Sequence, residues 1–145
     1  MGLSALPAGS RVYLDANVWI YALEGYAAYA VPLKALFARI DAGEIAAITS
    51  ELTLAEVLVK PFADGNAALQ QIYVETLHDR PSLTVAPITR TTLIKAARLR
   101  AQHTALKMPD ALHAATALVS GAKYFISNDV RFATVSALER VDINA

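Results

Sequence analysis

Residues 11–21 read RVYLDANVWIY, a short run of β-formers that ends in one acid and passes at once into an apolar stretch. Arg11 to Leu14 suits a buried strand, and Asp15 sits at its carboxyl end. Ala16 and Asn17 follow where a dinucleotide-binding fold would need a glycine-rich turn, so that class is excluded. Asp15 then has two readings. It caps the next helix, a task aspartate performs well, or it belongs to a set of acids gathered at one edge of a sheet.

Further runs rich in β-formers lie at Ala46 to Thr49, Leu83 to Ala86 and Lys123 to Ser127, with a weak fifth at Val141 to Ile143. Alanine- and leucine-rich stretches separate them, and helical spacing is clear over Thr89 to Ala105 and Pro109 to Ser120. Ser50 and Thr89 precede helix starts, Pro109 occupies a first-turn position, and Gly121 suits a helix end. Pro61 and the turn Ala63-Asp64-Gly65-Asn66 are expected to end the helix that carries Glu56. Alternating strands and helices imply right-handed crossovers and a parallel sheet covered on both faces. The expected fold is a three-layer α/β/α sandwich around a central parallel sheet of four or five strands. Residues 1–145 read as one domain, without repeat, low-complexity segment or linker.

Composition narrows the function. The 145 residues are 55% hydrophobic and hold no cysteine, and the mean hydropathy is +0.37. Much of that apolarity is alanine on helices, which implies tight helix packing and a surface that a partner buries. No stretch approaches the roughly 18 apolar residues of a membrane span, and the N-terminus lacks the basic and apolar regions of a signal peptide. A cytoplasmic location is expected. Thirteen Lys and Arg balance thirteen Asp and Glu, so nucleic acid cannot be held here by bulk charge. The densest basic set is Arg90, Lys95, Arg98, Arg100 and Lys107. It reads as a solvated helix face, with phosphate contact as the alternative.

In an open parallel α/β sheet, ligands bind beyond the carboxyl ends of the strands, where strand order reverses. Asp15 ends the first strand and Asp129 follows the fourth. Glu56 lies about two turns into the helix after the second strand, and Asp110 opens the helix leading to the fourth. Each acid has an ordinary role beside this one: Asp110 complements a helix dipole and Asp129 suits a turn. Together the four converge on one edge, and the sequence offers no obvious set of arginines to neutralise them. A hard divalent cation does so, since Mg²⁺ takes one or two carboxylates and keeps several waters. Metal-assisted attack of water on a phosphodiester is the chemistry implied.

The residues LDANVWIY, TSELTLAEVL, PDALHAATAL and ISNDVRF resemble, in order, the four motifs of PIN-domain ribonucleases. The likeness spans residues 12 to 132, and the ALHAATAL helix with the short chain is most similar to VapC-type toxins of toxin–antitoxin pairs. The resemblance implies that Asp15, Glu56, Asp110 and Asp129 bind Mg²⁺ or Mn²⁺ and that Asn17, Ser127 and Asn128 contact substrate or a metal-bound water. Ser127 stands where the family more often has threonine. The implied activity is that of a metal-dependent endoribonuclease, held in check by an antitoxin. A homodimer is expected as well.

His113, three residues after Asp110, has the spacing of a transition-metal chelate, but an acid-rich site suits Mg²⁺ or Mn²⁺ better. It reads as packing near the helix dipole. Trp19 and Tyr21 are read as core or partner packing rather than base stacking, and Val18 to Phe37 as an apolar groove beside the acids that a partner helix fills. A haloacid-dehalogenase-type phosphatase also carries an aspartate after its first strand, but its second aspartate would fall at Asn17. The remaining alternative is a non-catalytic PIN-like module that binds RNA or protein.

Overall fold

A computed structural model describes residues 1–144; Ala145, the last residue of the expected domain, lies outside the described residues. Five strands, β1 (Arg11–Leu14), β2 (Ala46–Ser50), β3 (Leu83–Ala86), β4 (Tyr124–Ile126) and β5 (Glu139–Val141), form one sheet in the order β3-β2-β1-β4-β5. All four pairings are parallel. Six helices connect them: α1 (Ala16–Leu23), α2 (Ala30–Asp41), α3 (Glu51–Ala63), α4 (Ala67–Thr76), α5 (Arg90–Gln102) and α6 (Met108–Val119). The expected three-layer sandwich forms, with five strands. Among the described residues no helix is long and apolar enough to cross a membrane.

The period-2 alternation of β1 divides the core. Val12 and Leu14 pack with Val18, Trp19, Leu33 and Ile40 from α1 and α2, whereas Tyr13 between them packs with Ala96, Ala111, Ala114 and Phe125 on the α5–α6 side. Successive strand residues point to opposite faces, so one four-residue strand serves both layers. Helix α6 is buried nearly all round, through Ala111, Ala114, Ala115 and Ala117. Small side chains there let α5 and the sheet approach closely, the tight packing that the alanine content implied.

Helix starts follow the expected caps. Ser50 accepts from Thr53 N at 3.4 Å and Thr89 from Thr92 N at 3.3 Å, and Gly121 ends α6 with φ 77, a left-handed geometry glycine adopts without strain. Helix α5 ends at Gln102, short of Ala105, and β4 is trimmed to Tyr124–Ile126; two further boundaries differ from expectation for a visible reason. Helix α3 runs through Pro61 to Ala63; Pro61 is buried, and its carbonyl accepts from Asn66 N and Gln70 Nε2, so the following turn wraps onto the helix. Strand β5 pairs two residues earlier than the run Val141 to Ile143 suggested. Val141 is the last residue in register, opposite Ile126, because Ile143 N is taken by Asn128 Oδ1 at 2.9 Å instead of a ladder carbonyl.

Candidate active site

Strand β1 lies between β2 and β4, and the chain first builds toward β3 before crossing back to β4. The carboxyl ends of β1 and β4 therefore flank the switch point where such sheets form a crevice. A cleft of about 280 Å³ opens there, lined by Asp15, Asn17, Glu56, Asp110 and Asp129, with His113 and Arg131 among its walls. Four separate segments thus bring their acids to one place.

Each acid is set by local chemistry. Asp15 is the N-cap of α1 in extended conformation and accepts from Val18 N at 3.2 Å, so the capping role and the edge position coincide. It is only 7% exposed. Burial pushes its carboxyl above the usual range, while the Ser127 hydroxyl and the charge of His113 pull it back. Asp110, third in α6, accepts from Lys107 N at 3.0 Å and so caps its own helix. Asp129 caps the short 3-10 turn Val130–Thr134 by accepting from Arg131 N. Glu56 projects from α3 with 35% of its side chain exposed, and its Oε1 meets His113 Nε2.

The expectation that no arginine neutralises these acids is corrected by Arg131. Its guanidinium grips Asp129 through Nε at 3.0 Å and Nη2 at 2.5 Å and reaches Asp110 Oδ2 through Nη1 at 3.1 Å. This contact holds the Asp129 carboxyl below the usual carboxylate range. One guanidinium still faces four carboxylates, an excess of negative charge in a partly buried cleft. Among the described residues no three acid or histidine side chains are already gathered into a ligand cluster; Arg131 pairs with Asp110 and Asp129, and His113 with Glu56. The donor set itself, all carboxylate oxygen around a buried Asp15 with a raised pKa, fits a hard divalent cation.

Other sequence candidates fall in different places. Asn17 lines the cleft. Ser127 is buried and its Oγ accepts from Asp129 N at 3.1 Å, so it braces two of the acids from behind. Asn128 turns its Oδ1 to Ile143 N and away from the acids. None of Arg90, Lys95, Arg98, Arg100 or Lys107 lines the cleft, and Arg100 Nη1 is bonded to Leu106 O at 2.8 Å. His113 is not near a dipole alone: at 4% exposure it links Glu56 to Tyr13, whose hydroxyl is 2.6 Å from His113 Nδ1. Sequence reasoning missed Tyr13 and Arg131. A basic residue two positions after an acid in a turn was a visible signal for Arg131; nothing local marks Tyr13.

The PIN domain family model matches residues 12–138. Among curated proteins none matches this chain in sequence. Solved structures with similar folds include VapBC2 from Rickettsia felis bound to a promoter DNA fragment, with TM-score 0.71 and 16% identity over 91% of this chain and 98% of that one. VapC20 of Mycobacterium tuberculosis, a toxin that cleaves the sarcin-ricin loop, has TM-score 0.71 and 16% identity, covering 86% of this chain and 95% of its own. A toxin–antitoxin complex from Klebsiella pneumoniae gives TM-score 0.66 and 21% identity over 88% and 94%. At these identities the likeness is one of fold.

Proposed function

Since the chain belongs to the PIN domain family, we propose that it is a metal-dependent endoribonuclease and the toxin of a toxin–antitoxin pair. The observation that carries this reading is the meeting of Asp15, Glu56, Asp110 and Asp129 in one cleft at the sheet's switch point. Support also comes from the similar fold of a toxin that cleaves the sarcin-ricin loop. An RNA substrate implies action in the cytoplasm.

Asp15, Asp110, Asp129 and Glu56 would hold Mg²⁺ or Mn²⁺. When bound, such a cation offsets phosphate charge and lowers the pKa of a coordinated water. Glu56 is placed by His113 to accept the proton of an attacking water at its free oxygen. Asp15, only 7% exposed, would offer the cation a carboxylate already shielded from bulk water. Arg131, which keeps Asp129 through Nε and Nη2, would turn Nη1 from Asp110 to a non-bridging phosphate oxygen, a single charge-assisted hydrogen bond. Asn17, at the start of α1, donates from its amide to the same phosphate.

For the antitoxin, the supporting observations are the complexes among the similar folds and an apolar groove of about 270 Å³ between α1 and α2. Tyr21, Ala30, Leu33 and Phe37 line it. A partner helix would lie there and send an arginine to the acids in competition with metal; a homodimer would use neighbouring surface. The contrary reading, a non-catalytic module, is favoured by the ion pairs of Arg131, which already satisfy two of the acids.

Purified chain incubated with structured RNA in Mg²⁺ or Mn²⁺ separates these readings. Cleavage that stops in EDTA and in Asp15→Asn is expected. Cleavage indifferent to both, or none under any condition, overturns the enzyme assignment. The antitoxin assignment fails if the protein of the adjacent reading frame neither binds the chain nor slows cleavage.

A further inference from the structure

Tyr13 sits in the middle of the central strand, fully buried and stacked on Phe125 with ring centroids 5.1 Å apart. Phenylalanine would pack equally well there, and a buried hydroxyl is unfavourable unless it is bonded. This hydroxyl has two partners: Ser50 Oγ at 3.1 Å and His113 Nδ1 at 2.6 Å. The imidazole stands at 4% exposure on a helix whose neighbouring buried positions are Ala111, Ala114 and Ala115. Its Nε2 meets Glu56 Oε1. The Tyr13 hydroxyl donates to Ser50 Oγ, the same oxygen is bonded to His113 Nδ1, and Nε2 on the far side of the ring is bonded to Glu56, so every polar group of this network has a partner. Ser50 Oγ still accepts from Thr53 N.

We infer that Tyr13 and His113 are positioning residues for Glu56: through their buried hydrogen bonds, β1 and α6 fix one carboxylate oxygen of an α3 side chain so that the other faces the cleft. Without that bond the glutamate, on an exposed helix flank, is free to sample its rotamers. Ser50 ties the chain to the N-cap of α3 itself, so the helix that carries Glu56 and the strand that ends in Asp15 are held by one network. Supporting bonds of this kind to ligating carboxylates typically set affinity and rate by factors of about 10 to 100. The inference rests on the nuclease reading of the cleft.

The test uses two substitutions that divide the imidazole. In His113→Asn the amide reaches roughly the place of Nδ1, so Tyr13 keeps a partner and Glu56 loses one. In His113→Gln it reaches roughly the place of Nε2, so Glu56 keeps its partner. Mn²⁺ affinity by titration calorimetry, and kcat and KM for RNA cleavage, are measured on both, on Glu56→Gln and on the isosteric Tyr13→Phe. Expected for His113→Asn are a kcat lower by about 10- to 100-fold with KM little changed and an Mn²⁺ affinity reduced to that of Glu56→Gln. His113→Gln retains most of both, and Tyr13→Phe loses part of each while keeping its fold. Equal losses in the Asn and Gln variants, or unaltered Mn²⁺ affinity and kcat in Tyr13→Phe, overturn the inference. If the unaltered chain binds Mn²⁺ but cuts no RNA, the nuclease reading falls while the affinity order still decides the positioning roles; if it binds no Mn²⁺, both fall.

Discussion

Arg131 Nη1 lies 3.1 Å from Asp110 Oδ2, joining the turn after β4 to the first turn of α6 across the mouth of the acidic cleft. The same guanidinium holds Asp129, so a cation entering between these acids must displace an internal one. Arg131→Ala is expected to raise Mn²⁺ affinity, by several-fold on calorimetric titration, because competition is removed. RNA cleavage should fall nonetheless, since the substrate phosphate loses a charged hydrogen-bond partner. Unchanged Mn²⁺ affinity would show that the pair does not compete with metal.

Asp15 and Asp129 should respond to pH with opposite signs in EDTA. The folded Asp15 carboxyl lies above the 3.8 of the unfolded chain, chiefly through burial. The folded state therefore binds more protons between those two values, and stability falls as pH rises through that window. Asp15→Asn keeps the N-cap and removes the buried charge, so it should melt higher than the parent at neutral pH, with the gap closing below about pH 4.

Asp129 lies below 3.8 because Arg131 bonds to its ionised form. Its stabilisation is present above that pH and is lost as pH falls through the folded value. Asp129→Asn should accordingly melt lower than the parent at neutral pH and match it in acid. Thermal melts from pH 3 to 8 would expose an error if the two variants shift in the same direction.

Catalysis should depend on the acids as a unit. Asp15→Asn and Asp110→Asn are each expected to cut the cleavage rate by about 100-fold or more, and the double variant to lose little beyond either single one. Multiplicative losses in single-turnover assays would argue for independent roles.

Trp19 is 1% exposed and packs on Phe37 with ring centroids 5.3 Å apart, so it belongs to the core and not to the surface of the groove between α1 and α2. Trp19→Ala should cost about 3–5 kcal/mol of stability, measured by denaturant unfolding, and is a poor probe of association. Ala30→Arg places a bulky charge at the exposed groove lining. It should block antitoxin binding in a pull-down while leaving unfolding nearly unchanged; retained binding would move the partner elsewhere.

The sequence by itself determined the order of strands and helices and the element on which each acid stands. Those features are local: a run of β-formers marks β1, caps at Ser50 and Thr89 start helices, and an acid just past a strand must lie at the sheet's carboxyl edge. Tertiary structure alone decided what each side chain meets. Tyr13 and His113 are 100 positions apart, and no periodicity shows which face of α6 is turned to β1. Asn128 and Asp129 are adjacent, yet one side chain bonds to Ile143 and the other to Arg131, because the β4–β5 register consumes the first. Backbone preference is written in neighbouring residues, whereas the partner of a buried polar group is chosen by which elements the core brings together.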